Sequence, residues 1–241
     1  MTFRNVTDPA ALVRLLIRQS DRACLSTGLA EPGSDNAVWP FGSLVMLACD
    51  YDTTPILLMS DLAEHVRNLT RDPRASLMLD GTGGRADPLT GPRVTLVGRA
   101  RKDDDTQLRR RYLARHRAAE FYADFADFHF YRFEVVRSHL VAGFGKVHRL
   151  DPAQYVPTVS ASWAEGEEHL LDFLAPHADR IARLSGQAES TDAACKILGA
   201  DPEGIDLKIG TRITRYAFPE TIAEPAEVEA FINSLLAAGQ A

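Results

Sequence analysis

The sequence predicts an α+β protein with two domains, an antiparallel β-barrel with flanking helices and a small domain of α-β-β-β-α order. Residues 1–150 of the 241 hold five or six strand-like segments, separated by short turns, with little strand-helix-strand alternation. Residues 151–162, DPAQYVPTVSAS, lack periodicity, and we place a linker there. Residues 163–241 then change pattern and predict the small α+β domain.

The composition is that of a globular protein and argues against two kinds of partner. Apolar residues make up 45% of the chain and charged residues 25%, and the net charge of −6 does not favour binding to nucleic acid. The basic run 109–117 follows the acidic run 103–105, which is the order that a helix dipole favours. No apolar segment approaches the ~20 residues of a membrane span, so we expect no membrane contact.

The cysteines and the first residues indicate a cytoplasmic protein. Cys24, Cys49 and Cys195 are odd in number, far apart and surrounded by apolar residues, which is typical of reduced buried thiols. None of them has metal-ligand spacing. The opening residues, MTFRNVTD, lack the apolar core of a signal peptide.

Helix signals and alternating apolar runs define the elements of the first domain. Asp8 followed by Pro9 predicts a helix start, and that helix ends near Ser20. Residues 29–37 predict a turn, and residues 102–125 have helical character. The predicted strands are 22–28, 39–50, 55–59, 75–79, 93–101 and 128–141. Residues 143–145 break the last of them, and 146–150 continue as a strand after the break.

The stretch 55–80 organises this domain as strand, turn, helix and strand. Asp61 and Glu64 have capping-box spacing at the helix start. An apolar stripe follows at helical spacing, and the residue before Pro73 ends the helix. The stripe consists of Leu62, Val66 and Leu69.

The start of this helix is a candidate anion site. The first amides of a helix lack backbone partners, and the helix dipole places partial positive charge there. His65 and Arg67 lie within two turns of that end. The alternative interpretation is that Asp61 already occupies the amides and that Arg67 is a solvated surface residue.

The second domain shows a helix, three strands and a closing helix. Residues 201–204, Asp-Pro-Glu-Gly, have the preferences of a type I turn between two strands. The predicted elements are a helix over 165–185, strands over 192–199, 205–209 and 212–218, and a helix over 225–236.

Motifs for several enzyme classes are absent from the sequence. Ser26, Thr27 and Ser160 have no recognisable nucleophile motif around them. The glycine-rich residues 81–92 do not end in Gly-Lys-Ser/Thr, and neither an H-E-x-x-H motif nor a G-x-G-x-x-G fingerprint occurs.

Three segments carry a family resemblance: SDLAEHVRNLTRDPRASLMLD with DPLTGPRVTLVGRA, DFADFHFYRFEVVRSHLVAGFGKVHRL, and DPEGIDLKIG. With these segments the chain resembles the pyridoxamine 5′-phosphate oxidase-like split-barrel proteins, and within them the haem-utilisation (HugZ-like) branch. The resemblance implies a six-stranded split β-barrel followed by a small α+β domain. It also implies a homodimer with a small-molecule or cofactor site at the subunit interface.

Relatives of the oxidase type bind FMN, and the resemblance places several residues near that cofactor. Ser43 stands where the oxidases have a flavin-binding arginine, and Ser60 retains a hydroxyl in the next flavin-binding run. The oxidases' arginine-lysine pair falls on Glu64 and His65, so most cationic phosphate partners are lost. We therefore expect His65, Arg67 and Arg93 to substitute for them in binding the phosphate.

Other members of the branch bind haem, and some degrade it. Haem iron requires an axial ligand such as imidazole. In relatives the small domain opens with a His-x-Asn-x-x-His motif. The comparable run here, 172–177 (DFLAPH), retains only the last histidine, His177, and Pro176 interrupts that helix. His139 and His148 flank the Gly-Phe-Gly break at 143–145. The haem-ligand candidates are therefore His177 and His148.

Three functional hypotheses follow from the residues and the resemblance. The first is an FMN-dependent oxidoreductase of unknown substrate, to which no catalytic residue can be assigned. The second is a haem-binding protein or haem-degrading oxygenase. The third is a non-catalytic binding or regulatory module that uses the groove of the dimer.

Overall fold

The chain divides into two compact units between Pro157 and Thr158. The structure is a computed structural model, and it describes residues 6–30, 38–185 and 194–238. The division lies inside the segment 151–162 where we place the linker. Tyr155 nevertheless belongs to the first unit, because its buried hydroxyl accepts a hydrogen bond from Ser138 Oγ at 2.9 Å.

The first unit is an eight-stranded antiparallel sheet with three helices. The strands are β1 (Arg22–Ala30), β2 (Val38–Met46), β3 (Ala48–Cys49), β4 (Pro55–Ser60), β5 (Arg74–Asp80), β6 (Arg93–Lys102), β7 (Phe128–Val141) and β8 (Val147–Leu150). The helices are α1 (Pro9–Gln19), α2 (Glu64–Arg71) and α3 (Thr106–Arg115). Neighbouring strands follow the order β2-β1-β5-β6-β7-β4-β3, and β8 pairs with β7.

The sheet curls into a half-barrel because the chain connects its two ends. β2 and β3 lie at opposite ends of the strand order, yet only Leu47 separates them in sequence. Leu47 is fully buried, and its amide donates to the Asp21 carbonyl at 2.9 Å. The predicted single strand 39–50 is therefore two strands with different partners.

The predicted count of six strands is too low for this reason and for a second one. After the predicted break, residues Val147–Leu150 form a strand of their own, which turns back and pairs antiparallel with β7. Gly143 and Gly145 have φ values of 139° and 74° in the connection, a region that glycine adopts at little cost. The α+β class and the curled antiparallel sheet are confirmed.

The inner face of the sheet carries the core of this unit. Antiparallel pairing aligns one row of inward side chains across four strands, and each of them is fully buried. The row consists of Leu25, Leu77, Leu96 and Ser138. Helix α1 packs its apolar face on this core, and Asp8 caps it by accepting from the amides of Ala10 and Ala11, as the sequence predicts.

The predicted helix 102–125 is shorter in the structure. Lys102 ends β6, α3 begins at Thr106 with Asp105 as its cap, and a 3-10 helix follows at Arg117–Phe121. Helix α3 packs Leu108 and Tyr112 against β4, in a second apolar cluster.

The second unit packs three helices with a three-stranded sheet. Its elements are α4 (Ser162–Leu174), a 3-10 helix (Ala175–His177), α5 (Ala178–Leu184), β9 (Cys195–Asp201), β10 (Gly204–Ile209), β11 (Arg212–Ala217) and α6 (Pro225–Ala238). The predicted helix 165–185 is split at Pro176, because proline cannot donate an interior helix hydrogen bond. The small domain therefore has α-α-β-β-β-α order.

Two predicted segments fall partly on residues that the structure does not describe. Residues 29–30 of the predicted turn belong to β1, and its remainder lies outside the described residues. The predicted strand 192–199 also starts outside them, and β9 begins at Cys195. Over the described ranges, no helix is both long enough and apolar enough to span a bilayer.

Candidate functional site

The turn between β4 and α2 gathers polar side chains from three parts of the first unit. Ser60 ends β4, and its hydroxyl donates to Asp127 Oδ2 and accepts from the Leu62 amide at 3.1 Å. The Asp61 amide donates to the Asp127 carbonyl at 2.7 Å. We use the name turn cluster for Ser60, Asp61, Lys102, Asp127 and His129.

Asp61 is the centre of the turn cluster. The sequence predicts that Asp61 caps α2, but in the structure it does not. Its carboxylate lies 2.9 Å from Lys102 Nζ and 3.0 Å from His129 Nε2. The hydrogen bond from Lys102, helped by the bond from His129, holds the pKa of Asp61 below its ordinary value. The capping-box prediction fails because these long-range partners hold the carboxylate away from the helix amides.

Helix α2 consequently begins without a side-chain cap. Its N-cap residue is Ala63, which offers no acceptor to the first amides. His65 is half-buried near this end, and burial lowers the pKa of its imidazole. Leu62, which the sequence places on the apolar stripe, precedes the helix and is 71% exposed, whereas Val66 and Leu69 are buried.

Arg67 is less available to an anion than the sequence predicts. Its side chain is 58% exposed, and Nη1 lies 3.4 Å from Glu64 Oε2 one turn earlier. Three carboxylates lie in this region, those of Asp61, Glu64 and Asp127. Only two permanently charged cations, Lys102 and Arg67, lie beside them. A phosphate dianion is best bound by several cations, so this charge balance is unfavourable to it.

Below the turn cluster the inner face of the sheet is apolar. His129 shares that face with Tyr131, and Met59 lies opposite His129 on β4. Tyr131 and Met59 are both buried, and burial, with a smaller effect of the Asp61 charge, raises the pKa of Tyr131 to about 12. The phenol is therefore neutral at physiological pH and gives the cluster an apolar floor.

Arg93 does not lie with the other predicted phosphate partners. It pairs with Val141, whereas Ser60 pairs with Phe128, and these positions are the opposite ends of the 14-residue strand β7. At about 3.3 Å per residue the separation is roughly 40 Å along the strand. Arg93 instead donates to the Leu89 and Gly91 carbonyls at 3.0 and 3.2 Å and ties down the loop before β6.

Ser43 lies on β2, away from the residues that form the turn cluster by hydrogen bonding. It pairs with Leu25 and is half-buried on the inner face of the sheet. Ser60 thus lies at the turn and His65 and Arg67 follow it on helix α2, whereas Ser43 and Arg93 lie on other strands.

The two haem-ligand candidates belong to different units. His148 pairs with the buried Leu140 and lines an open pocket of about 560 Å³ with the start of α1. His177 ends the 3-10 helix of the second unit, and its ring contacts Phe173 with centroids 5.5 Å apart. His139 pairs with Arg149 and is exposed on the outer face, so His139 and His148 face opposite ways.

The outer face of the sheet carries exposed apolar side chains. Leu44 and Met78 are 71% and 40% exposed, and both lie directly beside Cys24 on the strand between them. Val97 and Val136 add 36% and 54% exposed side chains on the neighbouring strands. A surface of this kind is typical of a protein interface.

Sequence patterns did not identify Lys102, Asp127 or His129 as site residues. Lys102 lies 41 positions from Asp61, and His129 lies 68 positions from it. The alternating pattern of β7 predicts that His129 and Tyr131 share one face of the sheet. It does not predict that β7 pairs with β4, and this pairing brings both residues to the turn.

Comparisons with known proteins agree with this fold. A family model described as "CREG, beta-barrel" matches residues 4–157. The "Non-canonical heme oxygenase HOZ, chloroplastic" of Arabidopsis thaliana is 30% identical over 222 residues, which cover 84% of this chain and 66% of that protein. The present chain thus spans about two thirds of the length of this curated relative.

Two solved structures resemble nearly the whole chain. Protein Atu2129 of Agrobacterium tumefaciens, of unknown function, superimposes with a TM-score of 0.76 at 26% identity and covers 95% of this chain and 96% of its own. A heme binding protein from Mycobacterium smegmatis gives a TM-score of 0.57 at 28% identity, with coverage of 98% and 100%. The chain belongs to the CREG β-barrel family, a split-barrel family related to the pyridoxamine 5′-phosphate oxidases, as the sequence resemblance predicted.

Proposed function

We propose that this protein binds haem through its split-barrel unit and takes part in the oxidative degradation of haem. The observation that carries the proposal is the composition of the turn cluster, where a carboxylate-backed imidazole stands in place of a set of phosphate-binding cations. The names of two relatives support it, because one is a haem oxygenase and the other a haem-binding protein.

The residues of the turn cluster fit the chemistry of haem. Iron accepts imidazole, and histidine ligands in proteins commonly donate their other ring N–H to a carboxylate. His129 and Asp61 provide that combination. When bound, haem would supply the iron centre at which oxygen is activated.

The protein would hold and shield this ligand. Met59 and the neutral Tyr131 would keep water from the inner side. No residue is assigned a proton-transfer role.

FMN remains the second candidate because of one observation. Ala63 leaves the start of α2 without a side-chain cap, and Ser60 places a hydroxyl at the same turn. Uncapped helix amides favour a phosphate group, and an FMN-dependent oxidoreductase would use them. We place haem first because FMN would give the His129–Asp61 pair no role and because two relatives are named for haem.

We further propose that the protein is a homodimer that associates through the outer face of the sheet. Leu44, Met78 and Val136 are exposed there. Covering this surface with a second copy would remove apolar area from water at about 25 cal/mol per Å².

The test is a pair of titrations of the purified protein, one with haem and one with FMN. We expect a sharp Soret band that saturates at one haem per subunit, and loss of that band with release of a bile pigment when oxygen and a reductant are added. A saturating flavin spectrum without a Soret band would instead support the oxidoreductase. If neither cofactor binds, the protein is a non-catalytic module and both cofactor proposals fail.

A further inference from the structure

We propose that two neighbouring loops at one end of the sheet dock the protein on an anionic membrane surface. The loops connect β5 to β6 and β7 to β8. The side chains of Leu89, Phe144 and Val147 are 59%, 86% and 53% exposed there. The name basic tip covers these three residues and the four cations of the same segments, Arg85, Arg93, Lys146 and Arg149.

The turn between β7 and β8 holds Phe144 at its apex. Gly143 and Gly145, on either side of it, have φ values of 139° and 74°, which glycine adopts at little cost. Two backbone hydrogen bonds close the turn, from the Ala142 amide to the Lys146 carbonyl at 2.8 Å and from the Lys146 amide to the Gly143 carbonyl at 3.1 Å. The ring of Phe144 therefore extends into solvent from a closed turn.

The loop between β5 and β6 lies directly against this turn. A Cβ added to Gly143 would be 3.2 Å from the Thr90 carbonyl oxygen. Arg93 fixes the loop by donating to the Leu89 carbonyl at 3.0 Å. Leu89 and Phe144 each adjoin one of the two residues in this backbone contact, so their exposed side chains lie at the same end of the sheet.

The charges beside these apolar residues are mostly positive. Residues 135–150 contain no acidic residue, and they include Lys146 and Arg149. Both side chains are exposed, and within the described ranges neither has a carboxylate partner. The other loop brings two arginines and two aspartates, Asp80 and Asp87. The basic tip therefore keeps a net positive charge.

This combination fits an anionic bilayer better than a nucleic acid. Lys and Arg near a membrane attract acidic lipids, and apolar side chains gain free energy by leaving water. Single-stranded nucleic acid instead stacks successive bases on aromatic rings. Phe144 is the one aromatic residue of the basic tip, whereas a bilayer also accepts Leu89 and Val147.

Two features of the chain do not oppose this contact. The expectation of no membrane contact came from the lack of a spanning segment, and a contact at the surface needs none. The net charge of −6 belongs to the whole chain, whereas a surface responds to charges within the Debye length of about 8 Å. The carboxylates of the turn cluster lie at the opposite end of β7, roughly 40 Å along the strand.

Docking of this kind has a consequence for the proposed function. Haem is a sparingly soluble, amphipathic macrocycle that partitions into bilayers, so a docked haem-binding protein would meet its ligand there. The inference does not depend on that function, because binding to vesicles is measured without haem.

The test is co-sedimentation of the full chain with vesicles of phosphatidylcholine, either alone or mixed with phosphatidylglycerol. We expect binding to the mixed vesicles and little to phosphatidylcholine alone. Lys146→Gln and Arg149→Gln should each weaken binding about 5-fold, which is the contribution of one cation near a charged membrane. Phe144→Ser should weaken it about 10-fold, because the buried ring is lost.

Phe121→Ser is the matched control. Phe121 is 83% exposed, but its ring contacts Phe125, which contacts Phe128 at the far end of β7. This variant should bind the mixed vesicles as the wild type does. Circular dichroism of all variants confirms that they fold.

A fluorescent reporter at the apex measures insertion directly. Phe144→Trp in a Trp39→Phe background should shift its emission to the blue with mixed vesicles and be quenched by lipids brominated on their acyl chains. Trp163 is fully buried and should not respond. Unchanged emission and no quenching would show that the apex does not enter the bilayer, and the inference would be wrong.

Three results of the sedimentation experiment would also overturn the inference. The first is equal binding of the wild type and Phe144→Ser, and the second is equal binding of the wild type to both kinds of vesicle. The third is a wild type that stays in the supernatant. If that protein is retained on immobilised polyglutamate, the partner of the basic tip is an acidic protein and not a membrane.

Discussion

Lys102 and Asp61 form an ion pair between the end of β6 and the residue that follows β4, with 2.9 Å between Nζ and Oδ1. The pair exists because β7 lies between these two strands. Ser60 pairs with Phe128 and Lys102 pairs with Tyr131, so both chain segments reach the same end of β7. The sheet order, and not local sequence, builds the turn cluster.

Replacing Lys102 by alanine should raise the pKa of Asp61 towards its ordinary value. Lys102 is the main cause of the lowered pKa, and His129 is a smaller one. A carboxyl group with a lowered folded pKa stabilises the fold above about pH 4 and loses that effect as the pH falls through the folded value. The variant should therefore show a weaker acid dependence of stability below about pH 4.

Carbon-detected NMR titration of the Asp61 carboxyl group measures this pKa directly. Arg101→Ala is the matched control, because the neighbouring Arg101 pairs with Glu134 at 2.6 Å and not with Asp61. An Asp61 titration that is the same in Lys102→Ala and the wild type would show that the ion pair does not form in solution.

Gly98→Ala should destabilise the barrel unit by about 1–3 kcal/mol. A Cβ at this position would lie 2.1 Å from the Glu134 carbonyl oxygen and 2.9 Å from the Phe133 ring. Gly98 also adjoins the register shift between β6 and β7, where the two backbones approach closely.

Denaturant unfolding of Gly98→Ala and Gly83→Ala provides the comparison. A Cβ at Gly83 would meet no atom within 4 Å, so that variant should be within about 0.5 kcal/mol of the wild type. Equal stability of the two variants would mean that β6 and β7 are not paired as described.

Arg215→Met should destabilise the second unit by about 3–5 kcal/mol. Arg215 is buried, and its guanidinium donates to Asp201 at 2.6 and 2.8 Å and to Asp206 at 2.8 Å. Burial opposes the charged form, but the two carboxylates outweigh it and raise the pKa of Arg215. Removing the arginine takes away a cation that both buried carboxylates contact.

Fluorescence of the buried Trp163, in a Trp39→Phe background, follows unfolding of this unit. Arg183→Met is the control, since Arg183 is exposed and only its Nε donates to the Asp179 carbonyl. The interpretation fails if the two methionine variants unfold at the same denaturant concentration.

Leu44→Asp should convert the proposed dimer to monomers. Leu44 is 71% exposed on the outer face, and a carboxylate there would be buried without a partner in the dimer. Sedimentation velocity should give about twice the chain mass of 26.5 kDa for the wild type and the chain mass for the variant. Leu89→Asp, at a 59% exposed loop residue, should leave the wild-type mass unchanged. A monomeric wild type would contradict the proposed interface.

The sequence predicts correctly the elements that are determined by residues close together in the chain. The bounds of β7 at Phe128–Val141 match the alternating run, because one face is buried along most of its length. The cap at Asp8 and the short connection between β9 and β10 at 202–203 were also predicted, since each depends on residues close in sequence.

The polar site depended on contacts that no local pattern contains. Asp61 has the spacing of a helix cap, but Lys102 and His129 outcompete the helix amides for its carboxylate. Arg93 follows a loop and looked available for an anion, but the loop carbonyls take its guanidinium. Strand order decides the first outcome and cannot be read from either segment alone. The second is decided within the loop, because Leu89 and Gly91 lie four and two residues before Arg93.

The most direct test of the central claim is a crystal structure of the protein with haem bound. The account predicts that the haem lies at the turn cluster of the split-barrel unit. Haem bound beside His148, within the second unit, or away from the sheet would contradict the account.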